Sequence, residues 1–239
     1  MIAFAQNWIR RQQFNPGILG AFINPFFLAR RQLWREIKAA NAFCEGPLLD
    51  VGCGSKPYRS LFKGTYIGLD VYSDATRRGG TADVFYGGKN FPFQDGSFNS
   101  VICNQVLEHV FNPGGFLAEI RRVLVPGGKL LLTVPFVWDE HEQPYDYARY
   151  SSFGLRALLE QHGFRVITHR KLLADVSTLF QLGNAYIYKV TRTRSRYANS
   201  ICTLLVMGPI SLMGLVLGKL LPQNEDLFLD QLVIAESIR

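Results

Sequence analysis

A short apolar run that ends in an acidic residue and a glycine turn constrains the fold of this chain more than any other feature. Residues 48–54 read Leu-Leu-Asp-Val-Gly-Cys-Gly, which is typical of a buried parallel strand that ends beside a nucleotide-like ligand. Gly52 and Gly54 allow positive φ angles and a close approach of the backbone to that ligand. A plain structural turn is the alternative interpretation, because two glycines in a loop are weak support by themselves.

A second apolar run, residues 66–70, ends in Asp70 and favours the ligand-binding interpretation. Asp70 follows Gly52 by 18 positions, close to the spacing at which a carboxylate binds the hydroxyls of a ribose. A nicotinamide or flavin dinucleotide is disfavoured, because its Gly-x-Gly-x-x-Gly fingerprint needs a third glycine and none occurs between Gly54 and Gly64.

Strand and helix patterns alternate along the chain, which predicts an α/β fold with a parallel sheet covered by helices on both faces. The predicted strands are 47–51, 66–70, 82–85, 98–103, 129–134, 165–173 and 227–235. The predicted helices are 26–40, 57–63, 113–124 and 151–162. Residues 1–24 are predicted to be irregular, because turn signals at 15–17 interrupt them.

Five further segments, together with the glycine turn and Asp70, give the chain a resemblance to a known family. They are 82–84 (Ala-Asp-Val), 91–98 (Phe-Pro-Phe-Gln-Asp-Gly-Ser-Phe), 107–110 (Leu-Glu-His-Val), 121–128 (Arg-Arg-Val-Leu-Val-Pro-Gly-Gly) and 144–147 (Pro-Tyr-Asp-Tyr). In order and spacing they resemble class I S-adenosylmethionine-dependent methyltransferases of the type 11 group. The resemblance implies a Rossmann-like, doubly wound, mostly parallel seven-stranded sheet with an antiparallel last strand as an edge partner. It also implies S-adenosyl-L-methionine as the cofactor.

The resemblance also assigns residues to the cofactor. Gly52 and Gly54 would back its methionine part, and Asp70 would bind the ribose hydroxyls. Asp83 would lie near the adenine amine, unless it is a simple loop acid, and Asn104 would hold the amino or carboxylate group of the methionine. Asp50, at the end of the first strand, completes the set.

The chain departs from the family pattern at two positions near these residues. Lys56 stands where the family often has a third glycine, and Asn99 stands where it usually has an aspartate. Neither change removes a main-chain contact to the cofactor.

Two histidines follow predicted strands and are candidate general bases for methyl transfer to a hydroxyl oxygen. A neutral histidine suits this role because its pKa lies near working pH. His141 is preferred over His109, because the Leu-Glu-His segment is widespread in the family and often structural. The alternative is that His141 only hydrogen-bonds within its loop. Tyr145 and Arg149 are candidates for binding an anionic or sugar-like substrate, and Arg149 is alternatively an ion-pair partner of Asp146.

No metal is expected in this site. Gln105, Glu108 and His109 resemble a divalent-metal triplet of methyltransferases that act on membrane quinone precursors. That triplet has two carboxylates and Gln105 removes one, whereas hard cations prefer charged oxygen ligands.

Basic residues are concentrated in two segments. The 239 residues carry a formal net charge of +7, of which residues 1–40 contribute +5 and residues 189–196 contribute +4, so the remainder is slightly acidic. Such segments meet nucleic acid or anionic lipid. Nucleic-acid modification is disfavoured, because the Asn/Asp-Pro-Pro-Tyr segment used on base amines is replaced by Asn-Gln-Val-Leu at 104–107.

The four cysteines have no C-x-x-C spacing, which predicts reduced thiols rather than a metal site. No secretory signal is predicted at the N-terminus, because Pro16 and Pro25 interrupt its apolar stretch.

An uncharged apolar run at 197–218 is an insertion into the minimal fold. It reaches the length of about 20 residues that spans a bilayer, yet the strand at 227–235 must return to the same sheet. Because Gly208 and Pro209 also break a helix near its middle, we predict a bent, re-entrant or surface-lying helical pair. Peripheral or monotopic membrane contact through 197–221 is favoured over a homodimer face or a cap on the substrate pocket.

These patterns together predict a methyltransferase with two parts. Residues 1–45 form a basic, aromatic extension with a helix, and 46–239 form the methyltransferase domain with its apolar helical insertion at about 197–222. The expected reaction is S-adenosylmethionine-dependent O-methylation of a small-molecule, lipid-linked or glycan acceptor, in the cytoplasm at the inner face of the membrane. The alternative is a membrane-surface interaction protein that keeps the fold without turnover. A nucleic-acid methyltransferase and an NAD-dependent oxidoreductase rank below both.

Overall fold

The computed structural model describes residues 2–73 and 81–238, which form seven strands and seven α-helices. The strands are β1 (Leu48–Val51), β2 (Tyr66–Val71), β3 (Val84–Tyr86), β4 (Phe98–Asn104), β5 (Leu124–Pro135), β6 (Phe164–Leu172) and β7 (Asp230–Ser237). The helices are α1 (Ile2–Phe14), α2 (Phe27–Ala40), α3 (Pro113–Val123), α4 (Ser152–Gln161), α5 (Ser177–Thr191), α6 (Arg196–Cys202) and α7 (Gly208–Leu220).

The seven strands form one sheet in the order β3-β2-β1-β4-β5-β7-β6. The strands β1 to β5 pair in parallel, and β7 runs antiparallel to β5. The predicted mostly parallel, seven-stranded sheet with an antiparallel last strand is therefore confirmed. The predicted edge position of the last strand was wrong, since β7 lies between β5 and β6. Leu232 to Ala235 are all apolar and buried, and a run that is apolar on both faces is expected inside a sheet.

Local sequence signals explain the helices that cover the sheet. Asn112 caps α3 by accepting a hydrogen bond from the Gly115 amide at 3.1 Å, and Pro113 occupies the first helical position. Ser151 caps α4 in the same way, through the Gly154 amide. The buried face of α3 repeats at helical spacing and packs into the main core, through Phe116, Leu117, Ile120 and Val123.

The chain divides into two compact units. The helical unit comprises Met1–Glu36, Val137–Asp139 and Lys171–Asp230, and the sheet unit comprises Ile37–Phe136, Glu140–Arg170 and Gln231–Arg239. The main core lies in the sheet unit, between the sheet and helices α3 and α4. The predicted division at residue 45 stays a prediction.

Two predictions were wrong: a helix at 57–63, after the glycine turn, and an irregular segment at 1–24. Residues 57–63 contain only a 3₁₀ turn at Arg59–Leu61. The predicted irregular segment 1–24 contains α1, which tertiary caps stabilise. The side-chain amide of Asn24 donates to the carbonyls of Gln12 and Gln13 at the end of α1, and its Oδ1 accepts from the Phe26 amide. Caps supplied from a distance leave no local periodicity, so the sequence alone does not reveal this helix.

The apolar run forms one continuous helical segment rather than a pair. Helix α6 leads through a π-helical stretch at Thr203–Met207 into α7. Pro209 lies at the start of α7, and its ring and missing N–H disrupt α-helical hydrogen bonding in the preceding turn, where the π-helical stretch lies. The partner helix is α5, which was not predicted, and it packs antiparallel along α6 and α7.

Candidate functional site

The glycine turn after β1 has the backbone geometry that its sequence predicts. Gly52 and Gly54 have φ angles of 70° and 48°, in the left-handed region that favours glycine. The amides of Gly52 and Cys53 donate to the carbonyl of Leu69 and tie the turn to β2. A Cβ at Gly52 would clash with Val106, whereas a Cβ at Gly54 would meet no atom within 4 Å. The turn is therefore closed behind Gly52 and open beside Gly54.

Asp70 ends β2 with its carboxylate at this turn. The Gly54 amide donates to Asp70 Oδ2 at 3.2 Å, and the Val71 amide donates to Oδ1 at 2.8 Å. Partial burial raises the pKa of Asp70, and the two amide hydrogen bonds offset part of that rise. Each carboxylate oxygen keeps a lone pair for a ligand hydroxyl.

Asp50 lies under the turn in a buried position. Its register partners are Gly68 on β2 and Ile102 on β4, and the Tyr66 hydroxyl donates to its Oδ2. Burial raises the pKa of Asp50 to about 7, against the lowering effect of the Tyr66 hydrogen bond. Burial of Asp50 thus favours the protonated form of its carboxyl.

The substitution Asp50→Asn is expected to raise the free energy of unfolding above pH 7. The Asp50 pKa is about 7 in the folded protein and about 4 in the unfolded chain. Between these values the native state binds more protons than the unfolded state, so wild-type stability falls as the pH rises. Urea unfolding measures the difference in the free energy of unfolding between the variant and the wild type. This difference should be about 2.5 kcal/mol more in favour of the variant at about pH 8 than at about pH 5. An equal difference at both pH values would contradict the raised pKa.

Lys56 takes the backbone conformation of the glycine that it replaces, with a φ of 52°. Its Nζ lies 2.6 Å from Asp83 Oδ1, and the other Asp83 oxygen accepts from the Gly68 amide at 2.7 Å. A Cβ at Gly68 would clash with the Lys56 side chain, so the small residue makes room for this ion pair. Asp83 precedes β3, and its adenine contact stays a prediction; in the structure it anchors Lys56 and β2.

Asn104 ends β4, on the same edge of the sheet as Asp50 and Asp70. Its Oδ1 accepts from the Thr133 hydroxyl at 2.7 Å, which fixes the amide oxygen toward β5. Its predicted role in holding the methionine part of the cofactor stays a prediction.

His141, Asp146 and Arg149 form a chain of three side chains, in which each contacts the next. Its Nδ1 lies 3.3 Å from Asp146 Oδ2, and its backbone amide donates to the same oxygen at 3.0 Å. Arg149 donates to both oxygens of Asp146, at 2.6 and 2.7 Å. The hydrogen bonds from Arg149 hold the pKa of Asp146 down at about 2, so this carboxylate is ionised at neutral pH. An ionised Asp146 favours a proton on Nδ1 of His141 and leaves the lone pair on Nε2.

The structure brings His109 next to His141. Their ring centroids lie 4.7 Å apart, and His109 Nδ1 lies 2.8 Å from the carbonyl oxygen of Tyr145. The amides of Tyr147 and Ala148 donate to the carbonyl of Glu108, so the loop with His141 is fastened to the segment after β4. The side chain of Tyr145 is exposed beside this loop.

The same neighbourhood holds a possible set of metal ligands. A ring nitrogen of each histidine and a carboxylate oxygen of Glu108 lie within 4.8 Å of one another, so these three side chains can hold a cation. The sequence pointed to Gln105 as the third member, and the structure replaces it with His141. The expectation that the site works without a metal stays a prediction.

Comparison with known proteins identifies the family. The sequence profile of a family described as a methyltransferase domain matches residues 49–132. A putative methyltransferase of Encephalitozoon cuniculi is 31% identical over 158 residues, which cover 52% of this chain and 73% of that protein. The chain belongs to the class I S-adenosylmethionine-dependent methyltransferases.

Other known proteins are similar to this methyltransferase over parts of their length. An O-methyltransferase of Aspergillus nomiae is 28% identical over 166 residues, which cover 59% of this chain and 74% of that protein. The methyltransferase spans less than half of two further curated relatives, 45% and 30% of their lengths. The solved structure of the [4+2]-cyclase SpnF shares the fold, with a TM-score of 0.56 and 18% identity over 88% of this chain and 82% of that chain.

The residues at the glycine turn fit S-adenosyl-L-methionine, the cofactor of this methyltransferase. The open side of Gly54 lets a ligand approach the backbone, and the Asp70 carboxylate lies beside it to accept hydroxyl hydrogen bonds. A dinucleotide fingerprint is absent from the turn, because Lys56 and Pro57 occupy it after Gly54.

Two residues that the sequence analysis did not assign to the site contact its candidate residues in the structure: Tyr66 and Asp146. Tyr66 contacts Asp50 because it lies two residues before Gly68, the register partner of Asp50, and side chains two apart share a face. Asp146 contacts and orients His141, which lies five positions before it in the loop. From the sequence, Asp146 was expected only as an ion-pair partner of Arg149. Loop geometry carries no periodic signal, so the contact of Asp146 with His141 was not predictable.

Proposed function

We propose that this methyltransferase transfers a methyl group to a hydroxyl oxygen of a small-molecule, lipid-linked or glycan acceptor, with His141 as the general base. The observation that carries the proposal is the chain His141–Asp146–Arg149. It supplies an oriented imidazole whose Nε2 lone pair can accept the hydroxyl proton.

Each member of this chain has a separate task in the proposed mechanism. The cofactor, when bound, would supply an activated methyl group on a sulfonium, whose methyl–sulfur bond would break to leave a neutral thioether. His141 Nε2 takes the proton from the acceptor hydroxyl as the new bond to its oxygen forms, and the imidazole becomes an imidazolium. Asp146 stabilises that imidazolium through Nδ1, and Arg149 keeps Asp146 ionised and in place. In this role Arg149 is a positioning residue, so its predicted contact with an anionic substrate is a second, weaker proposal.

The acceptor class rests on several features of the chain. The side chain of Tyr145 is 61% exposed beside His109, where it can pack on an acceptor ring. The Aspergillus nomiae relative is named as an O-methyltransferase, which supports transfer to oxygen. The sequence segment after β4 lacks the residues that act on base amines, so nucleic acid is not part of the proposal.

We also propose that the enzyme works in the cytoplasm at the inner face of the membrane, with residues 197–221 in contact with lipid. Among the residues that the structure describes, Arg196–Leu220 is long and apolar enough to cross a membrane, and only 28% of its most apolar window is buried.

The experiment that tests the reaction is incubation of the enzyme with methyl-labelled cofactor and a cell extract, followed by identification of the labelled product. We expect the label in the small-molecule or lipid fraction. Label confined to the nucleic-acid fraction would contradict the proposed acceptor class.

A further inference from the structure

The helical unit contains a hairpin whose polarity is inverted relative to a water-exposed helix pair. The helical hairpin comprises α5, α6, the π-helical stretch and α7, residues 177–220. Its two arms are antiparallel, since Ser177 contacts Gly214 and Asn184 contacts Met207. In water, such a pair buries apolar side chains and exposes polar ones.

The inner face of the helical hairpin consists of small and polar residues, and four of its polar side chains hydrogen-bond to neighbouring elements: Ser177, Gln181, Asn184 and Ser211. Asn184 donates to the Met207 carbonyl at 3.1 Å and to the Ser211 hydroxyl at 2.8 Å. Ser177 donates to the Gly214 carbonyl at 2.9 Å, and Gln181 exchanges hydrogen bonds with the backbone of Pro25 and Ala29. A Cβ at Gly214 would lie 2.9 Å from the side chain of Phe180, so the arms approach closely. Small residues and hydrogen bonds between helices are the packing devices of helices in lipid.

The outer face of the helical hairpin is apolar. On the α5 arm, Tyr186 and Val190 are 70% and 61% exposed, and on the other arm Leu205 and Leu220 are 67% and 72% exposed. A groove of about 440 Å³ opens along the same arm, lined by Ile18, Leu212, Leu215, Val216, Lys219 and Leu220. An outer surface of this kind is stable where an apolar medium covers it.

The basic residues of the helical hairpin indicate which kind of apolar surface covers its outer face. Residues 176–224 contain five basic residues and no acidic residue: Lys189, Arg192, Arg194, Arg196 and Lys219. Arg192, Arg194 and Arg196 are exposed at the turn of the helical hairpin, and Arg192 and Arg196 stack on Tyr188 and Tyr197. A second copy of the same surface would bring like charges together, so a symmetric dimer is disfavoured.

We propose that the outer face of the helical hairpin is a binding surface for anionic lipid that lies in one leaflet of a bilayer. The inference deepens the proposed membrane location and rests on it, but it does not depend on the role of His141. Apolar side chains enter the acyl region, the three arginines meet lipid phosphates, and the groove takes an acyl chain with Lys219 at its rim. Basic and apolar groups on one surface bind such leaflets jointly.

The helical hairpin cannot span the bilayer in this arrangement. The α5 arm has 15 residues, about 22 Å of helix, against a hydrocarbon core of about 30 Å. A span would also carry the arginines of the turn to the far side. The strand β7 begins at Asp230 and is paired within the sheet, so the chain must return at once from Leu220.

Flotation of the purified full chain with lipid vesicles tests the proposal. We expect the wild type to float with phosphatidylcholine vesicles that contain phosphatidylglycerol, and to float much less with phosphatidylcholine alone. The double variant Arg192→Glu/Arg194→Glu should reduce partitioning at least about 30-fold, since each of the two arginines removed contributes about fivefold. The matched control Lys63→Glu/Lys89→Glu changes two exposed lysines of the sheet unit and should float like the wild type.

A second pair of variants tests the apolar contribution. Leu205→Asp/Val216→Asp should abolish flotation, whereas Phe153→Asp, at an exposed phenylalanine of α4, should not. Calorimetric binding of the demethylated cofactor should be unchanged in all four variants, which shows that each is folded. A wild type that stays with the soluble fraction at low salt, as a monomer or as a dimer, would overturn the proposal. A wild type that floats but methylates no oxygen would instead refute the proposed reaction.

Discussion

Replacing His141 with alanine is expected to lower kcat by about 10²- to 10⁴-fold, the usual contribution of a positioned general base. The affinity for the cofactor should stay within about twofold, because a base acts in the transition state and not in cofactor recognition.

Asp146 should behave as a positioning residue. We expect Asp146→Asn to lower kcat by a smaller factor and to leave the KM for the acceptor unchanged, because the asparagine still contacts Nδ1 without its charge.

Two controls separate this role from others. His162→Ala removes a histidine whose Nδ1 contacts the Leu158 carbonyl at the end of α4, and it should leave kcat unchanged. Dialysis against a chelator should also leave the wild type active, because proton transfer to Nε2 needs no cation. Loss of activity that zinc or magnesium restores would make Glu108, His109 and His141 ligands and would refute the base assignment.

Replacing Asp70 with alanine is expected to weaken cofactor binding by about 10²-fold or more. A carboxylate that holds two ribose hydroxyls makes two hydrogen bonds to a charged group, each worth about 1.5–3 kcal/mol. Asp70→Asn should give an intermediate loss, because one acceptor oxygen remains. Calorimetric titration with S-adenosyl-L-methionine and with its demethylated product measures both effects.

The control for Asp70 is an acidic residue away from the turn. Asp95→Ala removes an exposed carboxylate that pairs with Arg122 at 2.9 Å, and it should leave cofactor affinity unchanged. If Asp70→Ala and the wild type bound the cofactor with equal affinity, Asp70 would not be the residue that binds the ribose. Tight binding of a nicotinamide dinucleotide without binding of the sulfonium would contradict the family assignment itself.

The sheet was predictable from sequence because its strands carry strong local signals. The segments 48–51 and 98–104 contain short apolar runs and are bounded by turn residues, so their strand assignments held to within one residue. The parallel order then follows from the alternation with helices. The ligand-side edge was predictable for the same reason, since Asp50, Asp70 and Asn104 all end strands that run in one direction.

The parts that depend on distant contacts were not predictable. Helix α5 has an inner face of Ser177, Thr178, Gln181 and Asn184, so its pattern does not match that of a soluble amphipathic helix. Position 83 suggested an adenine contact, yet the ion pair with Lys56 appears only once β2 and β3 pair. The orientation of His141 likewise depends on how the loop to Arg149 folds back onto Glu108.

The most direct test of the proposed function is the position of the transferred methyl group. The enzyme is incubated with cofactor that carries a ¹³C-labelled methyl group and with a lipid-containing cell extract, and the product is identified by NMR and mass spectrometry. We predict a new methyl carbon bonded to oxygen, and its loss with the His141→Ala variant. A methyl group on nitrogen, or an acceptor that is cyclised without gaining a methyl group, would contradict the account.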